Sequence, residues 1–144
     1  MNELEKIQQW LQQFPGWEGA LTLEYTEGKP GSAGLFYKGS KEISRQVDLK
    51  GDVIACQRMH FEIRCVVADR EGSCWLRDLE NWVHQQSTQG FVPQLGCYPF
   101  GQRVCANGGK LVQVTREGAA VYSLELWAEF MTYMEGWFDD GSGL

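Results

Sequence analysis

The sequence predicts an α+β domain: a mainly antiparallel sheet with two helices packed on one face. Three observations carry that expectation. From Arg58 to Val67 the side chains alternate strictly, with Met59, Phe61, Ile63, Cys65 and Val67 on one face and Arg58, His60, Glu62 and Arg64 on the other. That is the pattern of a strand with one buried and one wet side. From Tyr122 to Phe130 the same rhythm returns, with Tyr122, Leu124, Leu126, Ala128 and Phe130 set against Ser123, Glu125, Trp127 and Glu129. Between the two, Trp75, Leu76, Leu79, Trp82 and Val83 recur at helical spacing, opposite Arg77, Asp78, Glu80, Asn81 and His84.

The other elements follow from the start of the chain. Leu4, Ile7, Trp10, Leu11 and Phe14 are spaced as one face of a helix that Pro15 and Gly16 stop. Ala20 to Thr26 is expected to be a short strand, with Leu21, Leu23 and Tyr25 alternating, and Glu27 to Gly34 a glycine-rich mobile loop. Leu35–Lys38 and Ile43–Leu49 are expected as two strands divided at Gly39-Ser40. Gly51-Asp52 turns the chain into the long strand, which begins as early as Val53. Asp69 and Gly72 end that strand, and Ser73 is a suitable N-cap for the helix. Ser87 to Phe100, with its glycines and prolines, is expected to be an irregular loop. Arg103–Cys105 and Leu111–Thr115 are expected to form a hairpin across Asn107-Gly108-Gly109, because Asn-Gly suits the positive φ of a tight turn. Glu117-Gly118 makes a further turn, and the aromatic, acidic and then Gly/Ser-rich stretch after Phe130 is expected to fray, chiefly over 132–144.

Length and charge bound the function. A chain of 144 residues fits a single domain, 1–144. Its six Trp, five Tyr and seven Phe exceed what a minimal core needs, which places some of them at a contact surface. The net charge of −6 arises entirely beyond Arg116, where Glu117, Glu125, Glu129, Glu135, Asp139 and Asp140 stand without any Lys or Arg. An acidic chain lacks the electrostatic footprint of a nucleic-acid binder, so no sequence-specific nucleic-acid partner is expected. Cys56, Cys65, Cys74, Cys97 and Cys105 match no zinc spacing and are expected to be reduced, which suits a cytosolic setting. No apolar run approaches the length of a membrane span, and Glu3, Glu5 and Lys6 interrupt any signal-peptide core.

Motifs for catalysis are not found. His60 and His84 are the two histidines, both on predicted polar faces, and there is no G-x-S-x-G, G-x-x-x-x-G-K-[ST] or H-E-x-x-H sequence. No catalytic, cofactor-binding or metal-binding residue is assigned. Contact surfaces are better represented. Lys29, Lys38, Lys41, Arg45 and Lys50 form a basic stretch that is either a solvated face or a patch for an acidic partner, such as another copy's acidic segment. Met134, Trp137 and Phe138, with Glu129 before them, either cover their own subunit or form an arm that docks on a neighbour.

The order of landmarks from Val53 to Met131 resembles a phage family. Trp75-Leu76-Arg77-Asp78-Leu79-Glu80-Asn81-Trp82-Val83 supplies a helix of the L-x-x-W type, and Gly90-Phe91-Val92-Pro93-Gln94-Leu95-Gly96 a Gly-x-x-Pro-x-Leu-Gly loop. Ala120-Val121-Tyr122-Ser123-Leu124-Glu125-Leu126 opens a late strand of aromatic–x–aliphatic rhythm. The set is similar to the small minor capsid and tail-terminator-like proteins of tailed phages and prophages of Gram-positive bacteria. The resemblance implies a non-catalytic structural protein without cofactors. It would form a ring of identical copies that meets tail-tube or head-connector proteins, in the cytoplasm during assembly and then in the virion tail. The alternatives are a non-catalytic cytosolic interaction module of prophage origin or a small enzyme with an unrecognised site.

Overall fold

The computed structural model describes residues 1–17, 19–26, 28–68, 75–97 and 102–133. In chain order they form α1 (Glu3–Leu11), β1 (Leu21–Leu23), β2 (Ala33–Val47), β3 (Val53–Val67), α2 (Trp75–Thr88), β4 (Arg103–Ala106), β5 (Lys110–Val114) and β6 (Ala120–Tyr133). The strands make one six-stranded sheet in the order β1-β2-β3-β6-β4, with β5 also on β6. All pairings are antiparallel except β1 with β2, so the sheet is mixed, and mainly antiparallel as expected. No helix among the described residues is long and apolar enough to cross a membrane.

Both alternating segments behave as their pattern requires. Phe61, Ile63 and Cys65 on β3 are fully buried, as are Leu124, Leu126 and Ala128 on β6, and register sets Phe61 opposite Leu126 and Ile63 opposite Leu124. These inner positions join Ile7, Trp10, Leu11 and Phe14 from the first helical segment, and Leu76, Leu79 and Val83 from α2, in one core cluster. Burying a side chain of this size contributes about 1.5–3 kcal/mol, so this shared cluster dominates the fold's stability. α1 and α2 meet at Trp10, 5.2 Å from Trp82, and Trp17, in the segment after α1, lies 5.4 Å from Trp75. Four of the six tryptophans thus pack ring against ring, Trp10 buried and Trp17, Trp75 and Trp82 half-buried.

α1 starts at a capping box, with the Asn2 side chain accepting from the Glu5 backbone N–H and the Glu5 carboxylate accepting from that of Asn2. It ends at Leu11, before Pro15 is reached, and a pair of turn residues follows. β2 is one strand and not two. Gly39, at φ 120°, sits at a bulge where the register slips between Tyr37 and Gly39, and a second slip falls between Glu42 and Ser44. β2 also begins at Ala33, inside the expected loop.

The expected hairpin at Asn107-Gly108-Gly109 does not form. β4 and β5 lie one after the other along the same edge of β6 and do not pair with each other. Gly108 and Gly109 do not adopt positive φ, and the Asn107 N–H continues the ladder to the Glu125 carbonyl. The glycines serve a close approach instead: a Cβ on Gly109 would stand 3.0 Å from the Leu76 side chain of α2. α2 includes Ser87 and Thr88, so the irregular loop starts later than expected. β6 runs on through Tyr133, which pairs with Ile54, so residues 131–133 are strand and not a frayed end. The Asp69–Gly72 break, the Ser73 cap, Cys74, Phe100 and the rest of the expected tail lie outside the described residues.

Candidate functional site: the outer face of the sheet

Two-residue alternation places a second set of side chains on the sheet's other side, outside the core cluster. From β3 come Cys56, Arg58, His60, Glu62 and Arg64; from β6 come Ser123, Glu125, Trp127 and Glu129; from β4 come Arg103 and Cys105. β2 adds Lys41, directly opposite Arg58 in register, and Lys38, whose ammonium lies 3.7 Å from Glu62.

Glu129 is the centre of this face. It is 9% exposed, and each carboxylate oxygen accepts at 2.7 Å from a different arginine, Arg58 Nε on one side and Arg103 Nε on the other. Burial alone would raise its carboxyl pKa, but the Arg103 and Arg58 hydrogen bonds outweigh that and hold it below the ordinary value. The clamp ties three neighbouring strands together, since Arg58 stands on β3, Glu129 on β6 and Arg103 on β4. A second carboxylate is organised similarly. Glu62 is pushed up by burial but held below its usual range by Ser123 Oγ, which donates to it at 2.6 Å, and by Arg64 and Lys38.

His60 stacks on Trp127 with ring centroids 5.1 Å apart and planes 6° from parallel. The His60 Nε2 atom is buried without a hydrogen-bond partner among the described residues, with the Glu125 carboxylate 3.9 Å away. Beside the pair, Lys38, Gly39, Ser40, Lys41, Arg58, His60 and Trp127 line a concavity of about 320 Å³. Lys41 has no ion pair among the described residues. Its cross-strand neighbour Arg58 carries the same charge, and like charges directly opposite one another are unfavourable. Summed over this face, Lys38, Lys41, Arg58, Arg64 and Arg103 outnumber Glu62, Glu125 and Glu129, so it is positive on a chain that is negative overall.

Cys56, Cys65, Cys97 and Cys105 are free. Burial pushes the Cys65 thiol up to about 12. Cys56 is raised by burial first and then by Glu129. Both shifts favour the thiol, which is the weaker nucleophile. Among the described residues no group of three or more His, Cys, Asp or Glu is placed to hold a metal ion.

Of the residues singled out from sequence, Lys38, Lys41 and Glu129 come together here. Arg45 instead bonds Glu42 through two side-chain hydrogen bonds, at 2.8 and 3.2 Å. Lys29 precedes β2 and Lys50 sits in the turn after it, at opposite ends of a strand about 50 Å long, so the basic stretch is not one patch. Met134, Trp137 and Phe138 lie outside the described residues. Arg58, Arg103, His60 and Trp127 were not chosen from sequence. Alternation already put Arg58, His60 and Trp127 on the outer face, but only the pairing of β4 with β6 brings Arg103 to Glu129.

The edges of the same sheet are finished differently. On β4 the outward N–H groups of Val104 and Ala106 donate to Ser87 Oγ at 3.0 Å and His84 Nε2 at 3.1 Å, both from α2. His84, expected to be a solvated surface histidine, thus ends the sheet while remaining exposed. On β2 the strand β1 covers Ala33 to Leu35, the Glu24 carboxylate accepts from the Tyr37 N–H, and no described strand lies along the edge beyond. Ile43, Val47 and Leu49 are exposed there. No protein-family model matches the chain, and no curated protein matches its sequence.

Proposed function

We propose that this chain is a non-catalytic structural subunit of a tailed-phage assembly, of the tail-terminator or minor-capsid type. It would work by associating with copies of itself into a ring and by meeting tail-tube or head-connector proteins. The observation that carries the proposal is the outer face: a positive, half-exposed surface of packed charges and one aromatic pair, continuous with a β2 edge along which no described strand lies past Leu35. Arg58 and Arg103 locked on Glu129, and Glu62 held by Ser123, Arg64 and Lys38, make a rigid charged surface that suits a contact face.

In this reading both helices form one layer over the inner side of the sheet and leave the outer face and the β2 edge for neighbours. A ring needs heterologous contacts, in which one patch meets a different patch on the next copy. A positive face on an acidic chain suits such a contact, because the complement is present on every other copy. The subunit would assemble in the cytoplasm and remain in the virion tail, without cofactor, membrane or sequence-specific nucleic-acid contact. The resemblance of residues 53–131 to small phage proteins supports the same reading.

The test is functional. Purified chain added to polymerising tail-tube subunits of a tailed phage is expected to cap the tubes and shorten their length distribution. Tubes that grow to the same lengths with and without the chain, together with failure to bind head-connector protein, would contradict the proposal.

A further inference from the structure

We propose that the hollow over Gly39 on the outer face binds a nucleoside monophosphate, its planar base stacked on His60 and its phosphate held by Lys41 and Arg58. Register sets out the slot. Gly39, His60, Trp127 and Cys105 stand side by side across four strands, since Gly39 pairs with His60, His60 with Trp127, and Trp127 with Cys105. The His60 and Trp127 rings lie 5.1 Å apart and 6° from parallel, close to the spacing of about 4.8 Å between neighbouring strands. The stack therefore runs across the sheet, and the imidazole face not taken by Trp127 is turned towards β2. There the opposite residue is a glycine. Gly39 takes the bulge at φ 120°, and a Cβ on it would meet nothing within 4 Å. One more flat ring fits where that side chain is missing, and stacking on aromatic side chains holds a base of any kind.

The charges around the slot define the other half of the ligand. Lys38, Lys41 and Arg58 line the same hollow of about 320 Å³, and no carboxylate among the described residues does. Glu62 lies 3.7 Å from the Lys38 ammonium and Glu129 accepts from Arg58, so those two cations are answered. Lys41 has no ion pair among the described residues and stands opposite the like-charged Arg58. A phosphate between the two relieves that repulsion with charge-assisted hydrogen bonds. Lys41 and Arg58 lie two residues along their strands from Gly39 and His60. That is about 7 Å by strand rise, which suits the separation of base and phosphate in a mononucleotide. A bare phosphate leaves the His60 face in water, and a bare ring leaves Lys41 unanswered. The net charge of −6 opposes a longer polyanion, so the ligand is the free mononucleotide and not the end of a strand. This site stands whether or not the chain assembles into a ring.

The experiment titrates the full-length chain by calorimetry with adenosine monophosphate, adenosine, inorganic phosphate and a 5′-phosphorylated single-stranded oligonucleotide. The monophosphate is expected to bind at least tenfold more tightly than adenosine or phosphate, and more tightly than the oligonucleotide. Its binding should move the ring-proton signals of His60 upfield, while those of the other histidine, His84 on α2, stay in place. Lys41→Glu is expected to weaken the monophosphate at least tenfold. His60→Ala should weaken it as well but leave inorganic phosphate unchanged. Lys29→Glu, the same change of charge outside the hollow, should leave both unchanged. An unaltered melting temperature separates lost binding from lost fold. Should His60→Ala lower it, Lys41→Glu, at an exposed position, and the proton shifts still decide. No binding of the monophosphate at millimolar concentration, equal binding of monophosphate and phosphate, or equal weakening by Lys29→Glu and Lys41→Glu would overturn the site. Tighter binding of the oligonucleotide would overturn the free nucleotide as its ligand.

Discussion

The sheet has two long edges, and the molecule treats them in opposite ways. At β4 the helix α2 comes down beside the strand and supplies an acceptor for each outward amide, Ser87 for Val104 and His84 for Ala106. At β2 the cover stops at Tyr37, and ten further residues of strand run on with no described strand beside them, bearing Lys38, Lys41 and exposed Ile43 and Val47. An unpaired edge invites strands from other chains, and proteins blunt such edges with bulges and lysines. β2 has both, with register slips next to Gly39 and Ser44. The β4 part of one edge is thus closed inside the subunit, whereas β5, further along that edge, is exposed and the β2 edge is restrained but accessible. On the function proposed above, contacts with neighbours fall on the side away from α2, at β2 and the outer face.

The largest expected effect comes from unseating the helix that closes β4. Leu79 is fully buried on α2, and Leu79→Ala should cost about 2–5 kcal/mol in denaturant unfolding. A cost under about 1 kcal/mol would mean that α2 is not held by its apolar stripe.

Removing the edge acceptors themselves should cost less. Ser87→Ala and His84→Ala each leave one strand amide without its side-chain partner, at about 1 kcal/mol apiece, because water reaches this edge. Hydrogen exchange should quicken at Val104 and Ala106 while the Ile63 and Leu126 amides, in the sheet's centre, keep their protection. Uniform quickening across the sheet would show that the edge and the centre open as one unit.

The Glu129 clamp binds β4 to the sheet from the outer face, and it gives the closed side a pH signature. Its folded-state pKa is depressed, so its contribution is complete above the unfolded value of 4.5 and is lost as pH falls through the lower folded value. Glu129→Gln should be less stable than the wild type above pH 4.5, and the two should converge on further acidification. Parallel stability curves down through that window would remove the clamp from the account. The smallest effect is expected on the open side. Val47→Lys, at an exposed position of β2, should change stability by less than about 0.5 kcal/mol while weakening self-association.

Much of this plan was legible in the residues. The alternation of 58–67 and 122–130 placed both central strands and assigned their faces, because a strict period of two fits a half-buried strand far better than a helix. Gly51 and Gly118 turned as expected, at φ 87° and 86°. Gly39 also has positive φ, yet it serves a bulge inside one strand, and a local dihedral does not distinguish a bulge from a turn. Asn107-Gly108-Gly109 looked like a hairpin because the pairing partner was sought next door. β6 is long enough to take β4 and β5 in succession, a fact about register that short windows do not contain. The outer site was half legible for the same reason. Its β3 and β6 residues followed from alternation, whereas the meeting of Arg103 with Glu129 and of Lys41 with Arg58 depends on which strands are neighbours.

The central claim, that the uncovered side of the sheet exists to bind further copies, is tested most directly by the mass of the full-length chain in solution over a wide concentration range. The expected result is a closed multimer of one definite size that persists on dilution to micromolar levels. A single-chain mass at every concentration, up to the limit of solubility, would contradict it.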